Sequence, residues 1–333
     1  MIRLLAISFL LCLNAFTVQI DRIIIWGHKL HSHTHSYIHF GFYKAFQHLG
    51  YPVYWFDDAD YPKDFDYSNA LFIVASQVDK NVPLREDSYY VYHHCWCKEH
   101  RCAEEKYAPL IKKNRAIAIK CFWAPYLTKD PEWTKIDTYI YKSLKHKELV
   151  FPWATDLLPH EIEQEKEKLP FKNLIKRATF LGTVGNSGYG ANADELNGFM
   201  DAAKKNGVSV FINNPWSSPL SNEQHKTIIE ESLLAPAIQG KWQCEVGYIP
   251  CRIFKNISYG KLGITNSKFV SALFNDQIVF NENTKELFFD SLRSLQSTSL
   301  EKQIAVMDFV KSKHTYLNRI SLILNFFEEL NEK

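Results

Sequence analysis

The sequence predicts an α/β protein of two lobes, and three observations carry that prediction. Short β-branched or aromatic runs alternate with helical stretches from Arg22 onward, as expected for a parallel sheet covered on both faces. The rhythm breaks at Phe151–Pro159, which holds two prolines, and restarts at Ala178. The chain has 333 residues, enough for two lobes that each bury a core.

The elements follow in order. Arg22–Ile23–Ile24–Ile25–Trp26 is a buried strand ended by Gly27–His28, and a helical pattern from Tyr37 to Leu49 stops at Gly50. Tyr51–Phe56 and Asn69–Ala75 read as the next strands, with Ser88–Tyr92 and Ala116–Phe122 as further ones. The charged run Glu161–Lys168 reads as a solvated helix face. Ala178–Gly182 is a strand entering the Gly/Asn/Ser-rich loop Thr183–Ala193. A helix over Asp194–Lys205 and a strand over Val208–Ile212 come next. The expected divisions are residues 1–20 (signal or anchor), 21–150 (first lobe), 151–172 (linker), 173–299 (second lobe) and 300–333 (C-terminal helices).

Composition narrows the function classes. Hydrophobic residues at 46% exclude a disordered chain, and a net charge of +2 offers no broad basic face for nucleic acid. The 8 Trp, 17 Tyr and 23 Phe serve either a core rich in large side chains or stacking platforms for sugars and bases. Core packing takes precedence, leaving Trp153, Tyr189, Trp216, Trp242 and Tyr248 for an interlobe crevice.

Met1–Ile2–Arg3 followed by apolar Leu4–Leu13 resembles an export signal and is too short for a clear membrane span. An exported or membrane-anchored protein is expected, with the cytoplasm as the alternative. The seven cysteines include Cys12 in that segment, the cluster Cys95, Cys97 and Cys102, and the scattered Cys121, Cys244 and Cys251. Export favours disulfides. A zinc site from Cys95, Cys97, His100 and Cys102 is the rival, though its spacing is not a standard framework.

Three constellations carry chemistry. The first is the histidine-rich loop Gly27–His35 with His39, at the carboxyl end of the first strand, where open α/β sheets bind ligands. His28 and His31 are the candidate general bases, since both precede the helix. The second is Gly182, Thr183 and Asn186 in a glycine-rich loop suited to close approach by phosphate. The third is Tyr248 through Ser267. There Pro250 starts and Gly260 stops a helix whose Arg252 and Lys255 share one face near the positive end of its dipole. Arg offers a planar fork and Lys a point charge for a diphosphate. The strand Leu262–Thr265 would deliver Asn266 and Ser267 to the same crevice. The plain alternative is an amphipathic helix with two solvent-facing cations.

The run Arg252–Ile253–Phe254, Ser258, Gly260, Leu262–Thr265 and Asn266 resembles the donor-lobe pattern of GT-B glycosyltransferases. Phe180–Leu181–Gly182 is similar to the first strand and loop of that lobe. His314–Thr315–Tyr316–Leu317–Asn318–Arg319 is similar to the His-Thr-Tyr-x-x-Arg segment of bacterial spore-maturation-type members. The resemblance covers residues 175–325. It implies two Rossmann-like lobes and a C-terminal helix crossing back onto the first. It also implies a nucleotide-sugar donor as substrate rather than cofactor, and no metal. Glycans, lipids or proteins are the implied acceptors, with nucleic acid excluded and membrane association possible through the N-terminus. Many relatives carry Glu where this chain has Lys255, which separates it from them at the ribose contact. Two other classes compete: a non-catalytic glycan- or nucleotide-binding protein, and a metal-dependent hydrolase built on the histidine loop. Asn256–Ile257–Ser258 is a formal glycosylation sequon, expected to be unmodified within the donor helix.

Overall fold

The computed structural model describes residues 19–29, 35–75, 79–94, 102–169 and 174–332, apart from the side chains of Cys102 and Ala103. The export segment, His31 and the Cys95–Cys97–His100 cluster lie outside the described residues.

The first lobe contains β1 (Arg22–Trp26), α1 (His35–His48), β2 (Val53–Phe56), β3 (Ala70–Val74), β4 (Tyr89–His93), α2 (Cys102–Lys112), β5 (Ala116–Lys120), β6 (Thr134–Asp137), β7 (Ile140–Ser143) and β8 (Glu148–Val150). They form one eight-stranded sheet in the order β2-β1-β3-β4-β5-β8-β7-β6. The strands from β2 to β8 in that order pair in parallel, and β7 and β6 add an antiparallel edge that the sequence did not announce. Side chains alternate across the sheet with a period of two. Ile23, Ile25, Leu71, Ile73, Val91 and Ile117 fill one face, while Ile24, Trp26, Phe72, Val74 and Tyr90 fill the other. Burial on both faces explains the unbroken apolar runs.

Residues 151–158 leave this sheet without regular structure and enter α3 (Pro159–Lys168). The second lobe follows: β9 (Ile175–Leu181), α4 (Ala193–Lys205), β10 (Ser209–Asn213), α5 (Asn222–Glu231), β11 (Ser232–Leu234), α6 (Lys241–Glu245), α7 (Cys251–Ser258), β12 (Ile264–Thr265), α8 (Lys268–Leu273), β13 (Val279–Phe280) and α9 (Thr284–Ser297). Its strands order as β10-β9-β11 and β12-β13, and a parallel bridge between Ala237 and Thr265 joins the two sets. Both lobes thus share one parallel order in which the first strand lies between the second and third. That reversal opens a crevice at the carboxyl ends of β1 and β9, the place where such sheets hold ligands.

The C-terminal residues form two helices, α10 (Leu300–Lys313) and α11 (Tyr316–Asn331). The break falls where Thr315 N–H and Oγ1 donate to Asn318 Oδ1, capping the second helix. α11 crosses back onto the first lobe, burying Tyr316, Ile320, Ile323, Phe326 and Phe327 in its core. Two expectations need correction. The Glu161–Lys168 face is not simply solvated: Glu165 is 1% exposed and ion-pairs with Lys168 and Lys226 at 2.7 Å each, tying α3 to α5. Cys244 and Cys251 are free thiols, so these two form no disulfide.

A Cβ at Gly41 would overlap the Tyr316 ring at the crossing of α1 and α11. Gly41→Ala is therefore expected to destabilise the protein by about 1–3 kcal/mol in urea denaturation. Glu165 gives a second test. Burial works against its charge, but hydrogen bonds with Glu230, Lys168 and Lys226 outweigh that and hold the carboxyl down at about 2. Its stabilising share is complete above the unfolded carboxylate value of about 4.3 and is lost as pH falls through about 2. In a urea series taken at decreasing pH, Glu165→Gln should lower stability near neutrality and flatten the acid decline.

Candidate functional site

The two crevices face each other across one cleft of about 810 Å³, including the space where it opens to solvent. α1 supplies His35, Tyr37 and Ile38, the end of β9 supplies Leu181, Gly182 and Thr183, and α7 supplies Cys251, Arg252 and Lys255. Asn192, His225, Gln243 and Tyr248 complete most of the remaining wall. No Asp or Glu lines this cleft among the described residues.

Arg252 is held without a carboxylate. Its Nε donates to Leu181 O at 3.0 Å, and its guanidinium lies 3.9 Å from the centre of the Phe180 ring. Gly182 has a φ of 153°, and a Cβ there would overlap Arg252 Nη2. The glycine thus gives the guanidinium its place. Lys255 is 3% exposed, with Nζ 3.7 Å from Asp156 Oδ2 and 4.6 Å from the Tyr37 ring. It is not the solvent-facing cation of the plain amphipathic-helix alternative, and it lines the cleft. Asp156 also accepts hydrogen bonds from Tyr259 Oη, so its charge is shared.

Three helix N-termini reach the cleft: those of α1 at His35, α4 after Asn192, and α7 at Cys251. Pro250 is the N-cap of α7 and provides no side-chain cap, so first-turn N–H groups stay available to an anion. The glycine loop is shaped by Asn192, whose Oδ1 accepts from Gly185 N–H and whose Nδ2 donates to Thr183 O.

The remaining expected site residues divide clearly. Gly182, Thr183, Tyr248, Arg252 and Lys255 come together in the cleft. Asn186 lies outside it, in an adjoining surface groove with Asp194, Glu195 and Trp242. Asn266 is buried and spent on the backbone of Gln239, accepting from its N–H and donating to its carbonyl. Ser267 is fully buried as the N-cap of α8. Asn266 ties the stretch after β11 to the end of β12, and neither residue lines the cleft. Asn256 of the sequon is 2% exposed and donates to Ala235 O. Of the crevice aromatics only Tyr248 lines the cleft. Trp153 is core, Tyr189 and Trp242 pair outside at 4.7 Å, and Trp216 is exposed.

The histidine loop is less open than its composition suggested. His28 is buried, and burial lowers its pKa against the opposing pull of Asp57. Burial likewise pushes His39 down to about 4 and His93 to about 3. The rings of His28, His35 and His39 lie 5.6–6.4 Å apart. The grouping of potential metal ligands among the described residues is instead His94, Glu104 and Glu148. It is internally paired, with His94 on Glu104 at 3.0 Å and Glu148 on Lys120 at 2.7 Å. Of the described histidines in the loop, His35 lines the cleft and His28 does not.

Sequence reasoning missed Tyr37, Gln243, Cys251 and His225 as cleft residues. His225 sits in α5, whose periodicity marks it only as a half-buried position. Its pKa is driven well below the usual histidine value by burial, and further by Lys255 and Arg252.

No protein-family model and no curated protein matches the chain. Solved structures that match include UDP-forming α,α-trehalose-phosphate synthases from Burkholderia xenovorans and Burkholderia vietnamiensis. The first is 8% identical with a TM-score of 0.41, the second 9% identical with 0.39. Each match covers 78% of this chain and 73% of the other. A trehalose-6-phosphate synthase studied with bisubstrate glycomimetics is 11% identical with a TM-score of 0.41, covering 79% and 74%. At these values the likeness carries no inference about substrate or chemistry.

Proposed function

We propose that the chain is a metal-independent glycosyltransferase whose cleft holds a nucleotide-sugar donor by its diphosphate. The observation that carries this reading is the seat of Arg252. Its guanidinium is fixed by a main-chain carbonyl and an aromatic face, and no carboxylate among the described residues neutralises it. With Lys255 and three helix N-termini it makes an anion site with no lining acid. Such a site stabilises the charge that builds on a departing diphosphate. The motif Arg252–Ile253–Phe254 supports the same reading, and His314–Thr315–Tyr316 with Arg319 supports kinship with spore-maturation-type members.

Of the described histidines in the loop, His35 is the one placed to take a proton from an acceptor hydroxyl, since His28 is buried and does not line the cleft. The acceptor is a glycan, lipid or protein, met by an exported or membrane-anchored enzyme through residues 1–20. One observation favours a second reading, binding without turnover: no carboxylate lines the described cleft to hold ribose hydroxyls, Lys255 standing where many members of the GT-B family that the sequence resembles carry Glu. Donor hydrolysis or transfer across an acceptor panel separates the two.

A thermal-shift panel of nucleoside diphosphates and their sugars should reveal stabilising ligands. Arg252→Ala should weaken the best of them about 10- to 100-fold, the worth of a charged hydrogen bond. Absence of any stabilisation in the wild-type protein would sink the reading. Gly182→Ala should weaken the same ligand by displacing Arg252, while leaving the ligand-free protein folded.

A further inference from the structure

His225 reaches the cleft wall from α5 while only 5% exposed. Its Nδ1 is sealed from solvent, and neither ring nitrogen has a hydrogen-bond partner among the described residues. An unsatisfied buried polar group costs about 1–3 kcal/mol, and a native structure carries few of them. Its ring packs on Tyr37 at 4.5 Å.

The charged and titratable groups around this part of the cleft come from two helices and from Tyr248, whose hydroxyl is pushed well up by burial. α1 provides His35 and Tyr37, and α7 provides Cys251, Arg252 and Lys255, with Asp156 behind Lys255. The end of β9 adds Leu181, Gly182 and Thr183, none of which titrates. In the free protein, burial and the two cations keep the imidazole neutral. An anion entering between them cancels much of that field and brings acceptor oxygens to a ring that has none.

Resting on the donor-site reading, we propose that His225 is a ligand contact that takes one proton from solvent when a diphosphate enters the cleft, its imidazolium then donating to a phosphoryl oxygen. No bond of the ligand breaks in this step. Binding is thereby linked to pH: affinity rises as pH falls, because the bound state holds the extra proton. His225 also discriminates against neutral ligands, which cannot induce its charge.

Calorimetric titration of the full chain with UDP-glucose and ADP-glucose tests this in buffers of differing ionisation enthalpy. The diphosphate diester of these probes carries no proton to exchange near neutrality. The expected result is net proton uptake per bound ligand, growing as pH is lowered from about 7.5 to about 5.5. His225→Gln should bind without uptake and about tenfold more weakly at the acid end. Wild-type binding without uptake, or equal uptake by His225→Gln, overturns the proposal. Failure of the wild-type protein to bind either probe, or any ligand of the thermal-shift panel, overturns the donor-site reading instead. Ligand-free His225→Leu should be at least as stable as wild type, since it removes a buried nitrogen that has no hydrogen-bond partner. A marked loss of stability there assigns the residue to packing and also overturns the proposal.

Discussion

The cleft depends on one buried cation that never touches it. Arg319 of α11 is fully buried, and its guanidinium donates to the carbonyls of Pro152, Trp153 and Lys313. It has no carboxylate partner among the described residues, and burial lowers its pKa to about 10. Those carbonyls belong to the two places where the chain crosses between lobes. Beside them, Thr155 N–H donates to His314 O, and Thr155 Oγ1 meets Ser258 Oγ at 2.6 Å. The next residue, Asp156, receives Tyr259 and faces Lys255. A continuous set of polar contacts thus runs from the crossing to the cleft wall. Loss of Arg319 would leave several buried carbonyls unsatisfied at the point that sets the spacing between α1 and α7.

The same economy of carboxylates governs the cleft. A buried cation is most often neutralised by an acid, and the pair then offers little to a ligand. Arg252 is instead stabilised by Leu181 O and the Phe180 ring, which solvate the charge without cancelling it. Lys255 is compensated in part, through an Asp156 that Tyr259 also engages. A chain of net charge +2 can therefore present a strongly positive cavity. The field is local, arises from two side chains and aligned helix termini, and adds to burial in lowering the pKa of His225. Buried position matters more here than total charge, because low local dielectric preserves the interaction that water would screen.

Much of this was legible in the sequence, and the reasons for the failures are physical. Strand identity in β1, β3 and β5 was readable because both sheet faces are buried, which demands unbroken apolar runs, and in β9 from the shorter buried stretch at its carboxyl half. Arg252 and Gly182 were readable because a cation in the first turn of a helix and a glycine after a strand have direct geometric meaning. Asn266 and Ser267 were misplaced because polar residues after a strand serve equally to clasp a neighbouring loop, as the paired bonds to Gln239 show. His225 left no trace. Its role depends on α1 of the other lobe, which no local pattern can encode. The antiparallel β6–β8 edge was missed because β6 is largely exposed and β7 and β8 are too short to show the apolar runs that marked the others.

The histidine loop shows how a composition suited to catalysis can serve architecture. Gly27 and His28 both have positive φ, at 106° and 53°, a costly pair for a strand end. Three side chains hold it: Trp55 Nε1 and His39 Nδ1 at Gly27 O, and Ser36 Oγ at His28 O. The depressed pKa of His39 fits this task. A neutral imidazole with its proton on Nδ1 donates to the carbonyl while its ring packs against His28, His35 and Trp55, where a charged ring would be poorly solvated. Phe would fill the space and leave Gly27 O short of a donor, and Lys would bring a charge without a carboxylate. Histidine is the residue that is large, planar, neutral when buried and still a donor. What this anchor secures is the start of α1, and with it the placement of His35 and Tyr37 at the cleft. The buried histidines thus act on the site through the backbone they hold.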